Sequence, residues 1–356
     1  MIKILVENYA QDDHKYEIFA NIVKNSRTKR NSIILELLSE YITNVNYTVP
    51  NDCYSTPLML ACRYSSTSSD NQTVKLLLDK GADPNYLEKN KYLPIILASS
   101  YSRTTSNIET IKLLVERGAN INACDIEGNT ALLMAIKNSD TSSNFKTIKY
   151  LLDNDADVNI TNKFLISPLH TAVQKYNINF DLIKLLLDHK ANVNFQNDIG
   201  ETCLSLFIKN NYMVHYDTYK KIIDLFLDCD CDLNLQTKNG ETPFSKLLDL
   251  YIETKGQNKI INEIIDLFLM REINCNNGIT PPLLKLAKYS NEFNITDIVV
   301  KLVKCGANIN AIDVVSGNNV LLTAIKTGKG NNMYLINLLL DLGADVNIQN
   351  IKKILV

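Results

Sequence analysis

Gly81-Ala82-Asp83-Pro84-Asn85, Gly118-Ala119-Asn120-Ile121-Asn122 and Gly343-Ala344-Asp345-Val346-Asn347 are three copies of one five-residue phrase, and its recurrence decides the fold. The closing asparagine returns at Asn85, Asn122, Asn159, Asn194, Asn234, Asn276, Asn310 and Asn347, at spacings of 37, 37, 35, 40, 42, 34 and 37 residues. Self-similarity at this period marks a stack of supersecondary units, each unable to bury its apolar face without a neighbour. For such a stack the functional expectation is recognition along a surface rather than chemistry in one pocket.

Working upstream from each asparagine exposes a helix. Eleven positions back lie Val74, Ile111, Ile148, Ile183, Ile223, Ile265, Val299 and Ile336; eight back lie Leu77, Leu114, Leu151, Leu186, Phe226, Phe268, Leu302 and Leu339. A third apolar column stands seven back, from Leu78 to Leu340, while ten back the residue is usually charged, as at Lys75, Lys112, Lys149 and Asp224. Offsets of three and four put the apolar columns on one helical face and leave the charged column in solvent. Gly81, Gly118, Gly306 and Gly343 follow this helix where a left-handed residue closes it without Cβ strain. Asp155, Lys190, Asp230 and Glu272 hold the same register, at a cost of about 1 kcal/mol each, so the middle of the array is expected to be weaker than its flanks.

Downstream, Thr56-Pro57-Leu58, Ser167-Pro168-Leu169 and Thr242-Pro243-Phe244 place a hydroxyl N-cap before a proline at the first helical position. Thr130 and Thr202 keep the cap without the proline. Five residues after the cap comes a small residue at Ala61, Ala98, Ala135, Ala172 and Ala324, which lets this second, inner helix lie close to its neighbours. Each unit therefore reads as a helix pair joined to the next by an extended turn.

The T-P-L opening, the apolar outer helix and the G-A-D-x-N ending together resemble the ankyrin repeat over residues 52 to 350. The resemblance implies an all-α repeat, an ankyrin solenoid of stacked helix pairs with short β-hairpin fingers, in which finger tips and inner helices on a concave surface bind other proteins. It divides the chain into a degenerate N-terminal helical cap, 1–46, and an array, 47–356, with units near 54–87, 91–124, 128–161, 165–196, 200–236, 240–278, 279–312 and 317–349. Exposed finger positions are then the protein-binding candidates: Tyr86, Lys89, Tyr92, Asp125, Glu127, Lys163, Phe164, Asp198 and Lys238. Tyr86, Tyr92 and Phe164 lead, because aromatic residues dominate interface hot spots; ordinary variation between repeats is the competing explanation for each. The resemblance also implies that the closing asparagine can be hydroxylated, with Asn122, Asn159, Asn194 and Asn347 in the best context.

The chain departs from the family in three places. Its periods exceed the usual 33 or so residues, and the excess falls between the two helices, in Ser/Thr/Asn clusters such as 65–71 and 139–144, which read as loops. These clusters resemble those of ankyrin proteins from giant DNA viruses. From Asn276 to Thr280 the step is only four residues where most copies have eight, so one finger is expected to be cut off, leaving a notch or a bend. In residues 1–46, the apolar patterns Tyr16–Val23 and Ile33–Tyr41 and the ending Asn44-Val45-Asn46 echo the repeat.

Composition narrows the partners. Among 356 residues, 37 Lys+Arg face 39 Asp+Glu, and a net charge of −2 gives no reason to expect nucleic acid or an anionic membrane. No stretch approaches the roughly 18 apolar residues of a membrane span, and charge interrupts the N-terminal Met1–Glu7 too early for a secretory signal. The eight cysteines form no C-x-x-C pair, which reads as reduced thiols in an intracellular, cytoplasmic protein, including the cytoplasm of a host. Lys24, Arg27, Lys29 and Arg30 read as a solvated helix connection.

No phosphate-loop, zinc-protease or nucleophile-elbow motif occurs. His170 belongs to the T-P-L-H opening and braces backbone, and Cys229-Asp230-Cys231 lacks third and fourth metal ligands. The expectation is a monomeric, non-enzymatic interaction protein with protein partners and with no catalytic residue, no metal and no cofactor. The alternative is a viral or parasite adaptor that recruits a host protein to ubiquitin-type machinery. It would have to use residues 1–46, since Asn347 leaves little chain behind it.

Overall fold

The computed structural model describes residues 15–52, 54–65, 67–87, 92–101, 108–139, 142–211, 216–278, 280–327 and 332–347. Eighteen α-helices lie among them, and they fall into two compact units, 1–191 and 192–356. The first unit contains α1 (Lys15–Lys24), α2 (Lys29–Ser39), α3 (Pro57–Tyr64), α4 (Asn71–Asp79), α5 (Pro94–Ser100), α6 (Ile108–Glu116), α7 (Ala131–Lys137), α8 (Ser142–Asp153), α9 (Pro168–Val173) and α10 (Phe180–Asp188). The second contains α11 (Cys203–Asn211), α12 (Tyr216–Asp228), α13 (Pro243–Glu253), α14 (Lys259–Leu269), α15 (Pro282–Ala287), α16 (Thr296–Lys304), α17 (Val320–Thr327) and α18 (Met333–Asp341).

Odd and even helices pair in sequence, and the inner, odd helices pack each on the next: α1 on α3, α3 on α5, α5 on α7, α7 on α9 in the first unit, and α11 on α13, α13 on α15, α15 on α17 in the second. The apolar columns read from the sequence meet between them. Val74, Leu77, Ile111, Leu114, Ile148, Leu151, Ile183 and Leu186 are all fully buried, as are Ile223, Phe226, Phe268, Leu302 and Leu339 in the second unit. Ile336 is the exception, only half-buried in the last pair. The inner alanines Ala61, Ala98, Ala135 and Ala172 are buried to the last atom or nearly so. The second unit puts Phe207, Leu247 and Leu286 in that register, and Phe207 fills the extra volume by stacking on Tyr219 at 4.8 Å between centroids.

The helix boundaries follow from local chemistry. Thr56, Ser167 and Thr242 cap α3, α9 and α13 by accepting from the backbone N–H three residues on, with proline next in each case. The imidazole Nδ1 of His170 lies 2.7 Å from the Ser167 hydroxyl and completes that cap, fully buried. At the other end, the N–H of Ala82 reaches the carbonyl of Leu77 and that of Gly81 the carbonyl of Leu78, a Schellman closure with Gly81 at φ +86°. Outer helices α6, α8, α10, α16 and α18 end the same way. Asp155, Lys190 and Asp230 take φ of 63°, 65° and 53°, the left-handed region in which a side chain is strained.

Glu272 does not follow them. It lies outside the left-handed residues, and the chain leaves α14 with Ile273 donating to the carbonyl of Arg271 instead. The Ser/Thr clusters also differ from simple loops. Ser142, Ser143 and Asn144 belong to α8, so that helix begins inside the segment read as a loop. In the other cluster Ser69 is fully buried, 3.0 Å from the hydroxyl of Ser26, which in turn accepts from Thr73 at 2.6 Å. This hydroxyl network ties the insertion to the α1–α2 connection.

One side-chain bond pair repeats along both units. In Asn85, Asn122, Asn194, Asn234 and Asn276 the closing asparagine donates its amide N–H to the carbonyl that ends the next outer helix and accepts, on its amide oxygen, a backbone N–H two residues further. In the first unit Asn85 reaches the Gly118 carbonyl at 2.8 Å and the Asn120 N–H at 2.7 Å; Asn122 reaches Asp155 and Asp157 at 3.1 and 2.8 Å. Asn46 does the same to Gly81 and Asp83, at 3.4 and 2.8 Å, which makes 15–46 a layer of the stack. In the second unit Asn194, Asn234 and Asn276 repeat both bonds.

Because the clamp uses one donor and one acceptor on a single short side chain, Asn122→Ala should lower the stability of the protein by about 1–2 kcal/mol. Asn122→Asp, which keeps an acceptor but sets a carboxylate oxygen against the Asp155 carbonyl, should recover none of it at neutral pH. Urea unfolding followed by far-UV circular dichroism reads both; an aspartate variant as stable as the native chain would contradict the clamp.

Candidate protein-binding surface

After each clamp the chain makes a finger before the next inner helix. In 125–129 the Asp125 carboxylate accepts the N–H groups of Glu127 and Asn129, both at 2.8 Å, while the Gly128 N–H returns to the Asp125 carbonyl. Asn162 does the same for Phe164 and Ile166, and Asn197 for Ile199 and Glu201. Fingers also bond edge to edge: Lys163 N–H donates to the Glu127 carbonyl at 2.9 Å, and in the second unit Lys238 N–H to that of Ile199 at 3.0 Å.

The expected β-hairpins are thereby reduced to turns. Among the described residues the only β pairing is three isolated bridges, Val49–Ser55, Gln196–Thr202 and Ile312–Asn319. In each five-residue turn the leading Asp or Asn side chain takes the N–H groups of the third and fifth residues, which closes the finger as a turn instead of a longer ladder. The close approach of successive fingers also fixes glycine at Gly128 (φ +80°) and Gly200 (φ +82°), where a Cβ would lie 2.9 Å from the backbone of Asn162 and of Lys238 respectively. Leu165 stands in the same register of its own finger, at φ 53°.

Of the candidate contact residues, Tyr92 (47% exposed) and Phe164 (56%) project into solvent, as do Glu127, Lys163, Asp198 and Lys238. Glu127 and Lys163 pair loosely at 3.9 Å across neighbouring fingers, a surface contact worth little. Tyr86 is half-buried, and Lys89 lies outside the described residues. Asp125 is a correction: it is 7% exposed, and its carboxylate is taken up by the turn's N–H groups and the Asn129 amide, so it builds the finger instead of meeting a partner. Sequence reasoning passed over Ile126, Leu165 and Ile199, which are exposed on the same tips. The signal was present at Leu165, a leucine in a register that otherwise holds glycine. Val314 and Val315, the most exposed apolar tip of the second unit, were also passed over.

The shortened finger does leave a notch. Beside Gly278 and Thr280 a cleft of about 350 Å³ opens against Gly240, Glu241 and Lys285. Of the asparagines expected as hydroxylation acceptors, Asn122, Asn159 and Asn194 each hold the turn of the following repeat, whereas Asn347 bonds locally, its N–H donating to the Asp345 carboxylate. Of the other chemistry-bearing side chains, His14 and His215 lie outside the described residues, and His189 rests Nδ1 2.8 Å from the Leu185 carbonyl. Burial pushes the Cys231 thiol up to about 12 and Cys275 to about 11, far from thiolate reactivity at neutral pH. Among the described residues no cluster of His, Cys, Asp or Glu is arranged to hold a metal, and no helix is long and apolar enough to cross a membrane.

Capped helix pairs, stacked through their inner helices and tied turn to turn by an asparagine, define a helical repeat scaffold. Residues 21–125 and 66–162 match the family of ankyrin repeats in three copies, and residues 165–198 match the single ankyrin repeat. The chain belongs to the ankyrin-repeat family, and beyond 198 the same asparagine bonds continue to Asp345. No curated protein matches it. Ankyrin repeats are interaction scaffolds for protein partners and are generally non-enzymatic.

Gly128→Ala should destabilise the first unit by about 2 kcal/mol, since strain at positive φ adds to a backbone contact that cannot yield. Gly81→Ala, where an added Cβ meets nothing within 4 Å, should cost only the conformational term of about 1 kcal/mol. Parallel urea titrations compare the two, and equal losses would deny the close approach of the fingers.

Proposed function

We propose that the chain is a non-enzymatic scaffold that grips a protein partner through its fingers and the inner-helix face beside them. One observation carries the reading. Phe164 and Leu165 stand exposed at a tip whose backbone N–H groups are already bonded within the turn, and Leu165 holds a left-handed conformation that glycine would take without strain. A rigid, solvent-facing aromatic on a satisfied turn loses little entropy on binding, which suits it as an anchor. Ile126 on the preceding finger and Tyr92 further along extend the apolar tips.

The adaptor reading finds less support. It needs residues 1–46 to recruit machinery, yet α1 packs on α3 and Asn46 clamps the Gly81 turn, so the described part of that segment serves the stack.

In affinity capture from the cells that make the protein, Phe164→Ala combined with Tyr92→Ala should reduce recovery of the bound protein about tenfold, equivalent to about 1.4 kcal/mol, with helicity unchanged. Undiminished recovery would remove the fingers from the interface.

A further inference from the structure

Of the five inner helices of the first unit, α1 holds Glu17, and the other four, α3, α5, α7 and α9, contain no Asp or Glu between them. Their C-terminal ends carry Arg63, Tyr101, Lys137 and, one turn beyond α9, Lys175 and Tyr176. Carboxylates of this unit gather instead on the outer helices, at Asp79, Glu116, Asp153 and Asp188, where Asp79 is paired with Arg117 at 2.6 Å. On the outer helices those carboxylates are balanced by Lys75, Lys112, Lys149 and Lys184, whereas the row of inner-helix ends carries cations and aromatics without carboxylates of its own.

The row is also built. The Arg63 guanidinium lies 5.1 Å from the Tyr101 ring centre and donates to its hydroxyl at 2.8 Å, so a side chain of one repeat is held flat over the next. Lys175 donates to the Lys137 carbonyl at 2.9 Å, which draws its ammonium toward the end of α7. Between these two lysines a cleft of about 290 Å³ opens over Leu133, Ile166 and Thr171. Lys137 is exposed and makes no ion pair with a described residue. Tyr176 is 96% exposed.

We propose that this strip takes an extended acidic segment of the protein partner, with one carboxylate each at Arg63, Lys137 and Lys175. The proposal rests on the reading of the chain as a protein-binding scaffold and adds the chemistry of what it binds. Packed helices stand about 8–10 Å apart, and a chain extended as polyproline II advances about 3.1 Å per residue with three residues per turn, so one repeat corresponds to about three residues of ligand and every third side chain faces the strip. Arg63 and Lys137 are two repeats apart, Lys137 and Lys175 one. The matching acids then fall at positions 1, 7 and 10 of the segment, or 1, 4 and 10 if it runs the other way. Three cations at this spacing suit sparse carboxylates; duplex DNA, with a charge about every 1.7 Å of axis, would leave most of its phosphates unmatched.

The test uses the full chain and fluorescein-labelled ten-residue peptides of Gly, Ser and Thr carrying Glu at 1, 7 and 10 or at 1, 4 and 10, with a Glu 1, 2, 3 peptide and a ten-nucleotide oligothymidylate as comparisons, all by fluorescence anisotropy. One of the two spaced peptides should bind best, weaken as salt is raised, and lose about tenfold in affinity to the Arg63→Ala, Lys137→Ala, Lys175→Ala triple variant, whose helicity should be native. Lys137→Glu should restore preference for a peptide with Lys at the matching position. Equal binding of the 1, 2, 3 peptide, tighter binding of the oligonucleotide, or an indifferent triple variant overturns the strip. Lys149→Ala, which removes an exposed cation of outer helix α8, should leave peptide affinity unchanged. Should the peptides fail while partner capture still depends on Phe164, the strip falls and the finger reading stands.

Discussion

The bond on which the stack depends is the two-sided hydrogen bond of the closing asparagine. Its carboxamide gives one N–H to a carbonyl that the end of an outer helix leaves without a partner, and takes one N–H from the turn behind it, at 2.8 and 2.7 Å for Asn85. No other short side chain carries a donor and an acceptor so placed: aspartate lacks the donor, serine the span. Hydrophobic burial holds each pair of helices against the next but is indifferent to small slips. The clamp is directional, so it sets the register in which α4 packs on α6 and the fingers come close enough to demand glycine at Gly128.

A division of labour follows. Residues inside the recurring phrase are committed to stacking, and the stack asks less of the positions between copies. Asp125 shows how strict the division is. It lies in a finger, but its carboxylate organises the turn, and the residues free to vary are its neighbours Ile126 and Glu127. Leu165 breaks a local preference without any gain in packing, being 43% exposed, and a preference broken on an exposed tip points outward. The same logic places the basic inner-helix ends outside the stacking scheme, since Lys137 contributes no buried surface that the stack requires.

Most of the fold was legible because burial at offsets of three and four writes itself into residue type: the Val74 to Leu186 columns are apolar in sequence and fully buried in fact. The caps were legible for the same reason, as Thr56 and Ser167 are chosen by a bond to a defined N–H. What escaped was whatever depends on the neighbour instead of the residue. Ser142–Asn144 looked like a loop by composition, but helix α8 extends back through them. Asp125 and Asp198 are the same residue type in adjacent registers, one buried by its turn and one exposed, and only the turn geometry separates them. Hairpins were expected from the family, and side-chain acceptors at Asp125, Asn162 and Asn197 removed the N–H groups a ladder would use.

The turn at Glu272 shows which constraint is the stronger. There the left-handed residue is missing and the helix ends by another route, with Arg271 N–H on the Phe268 carbonyl and Ile273 N–H on that of Arg271. The finger that follows is the shortened one, beside the cleft at Gly278. Yet the asparagine of the previous copy still bonds there on both sides, Asn234 to the Glu272 carbonyl at 3.1 Å and to the Asn274 N–H at 2.7 Å. Helix closure and finger length can both change while the clamp stays. Repeats can therefore differ in period, from 34 to 42 residues here, so long as the extra or missing residues fall outside the carboxamide and the two backbone groups it joins. Length variation is thereby directed to the inter-helix connections and the fingers, the segments that the clamp does not join.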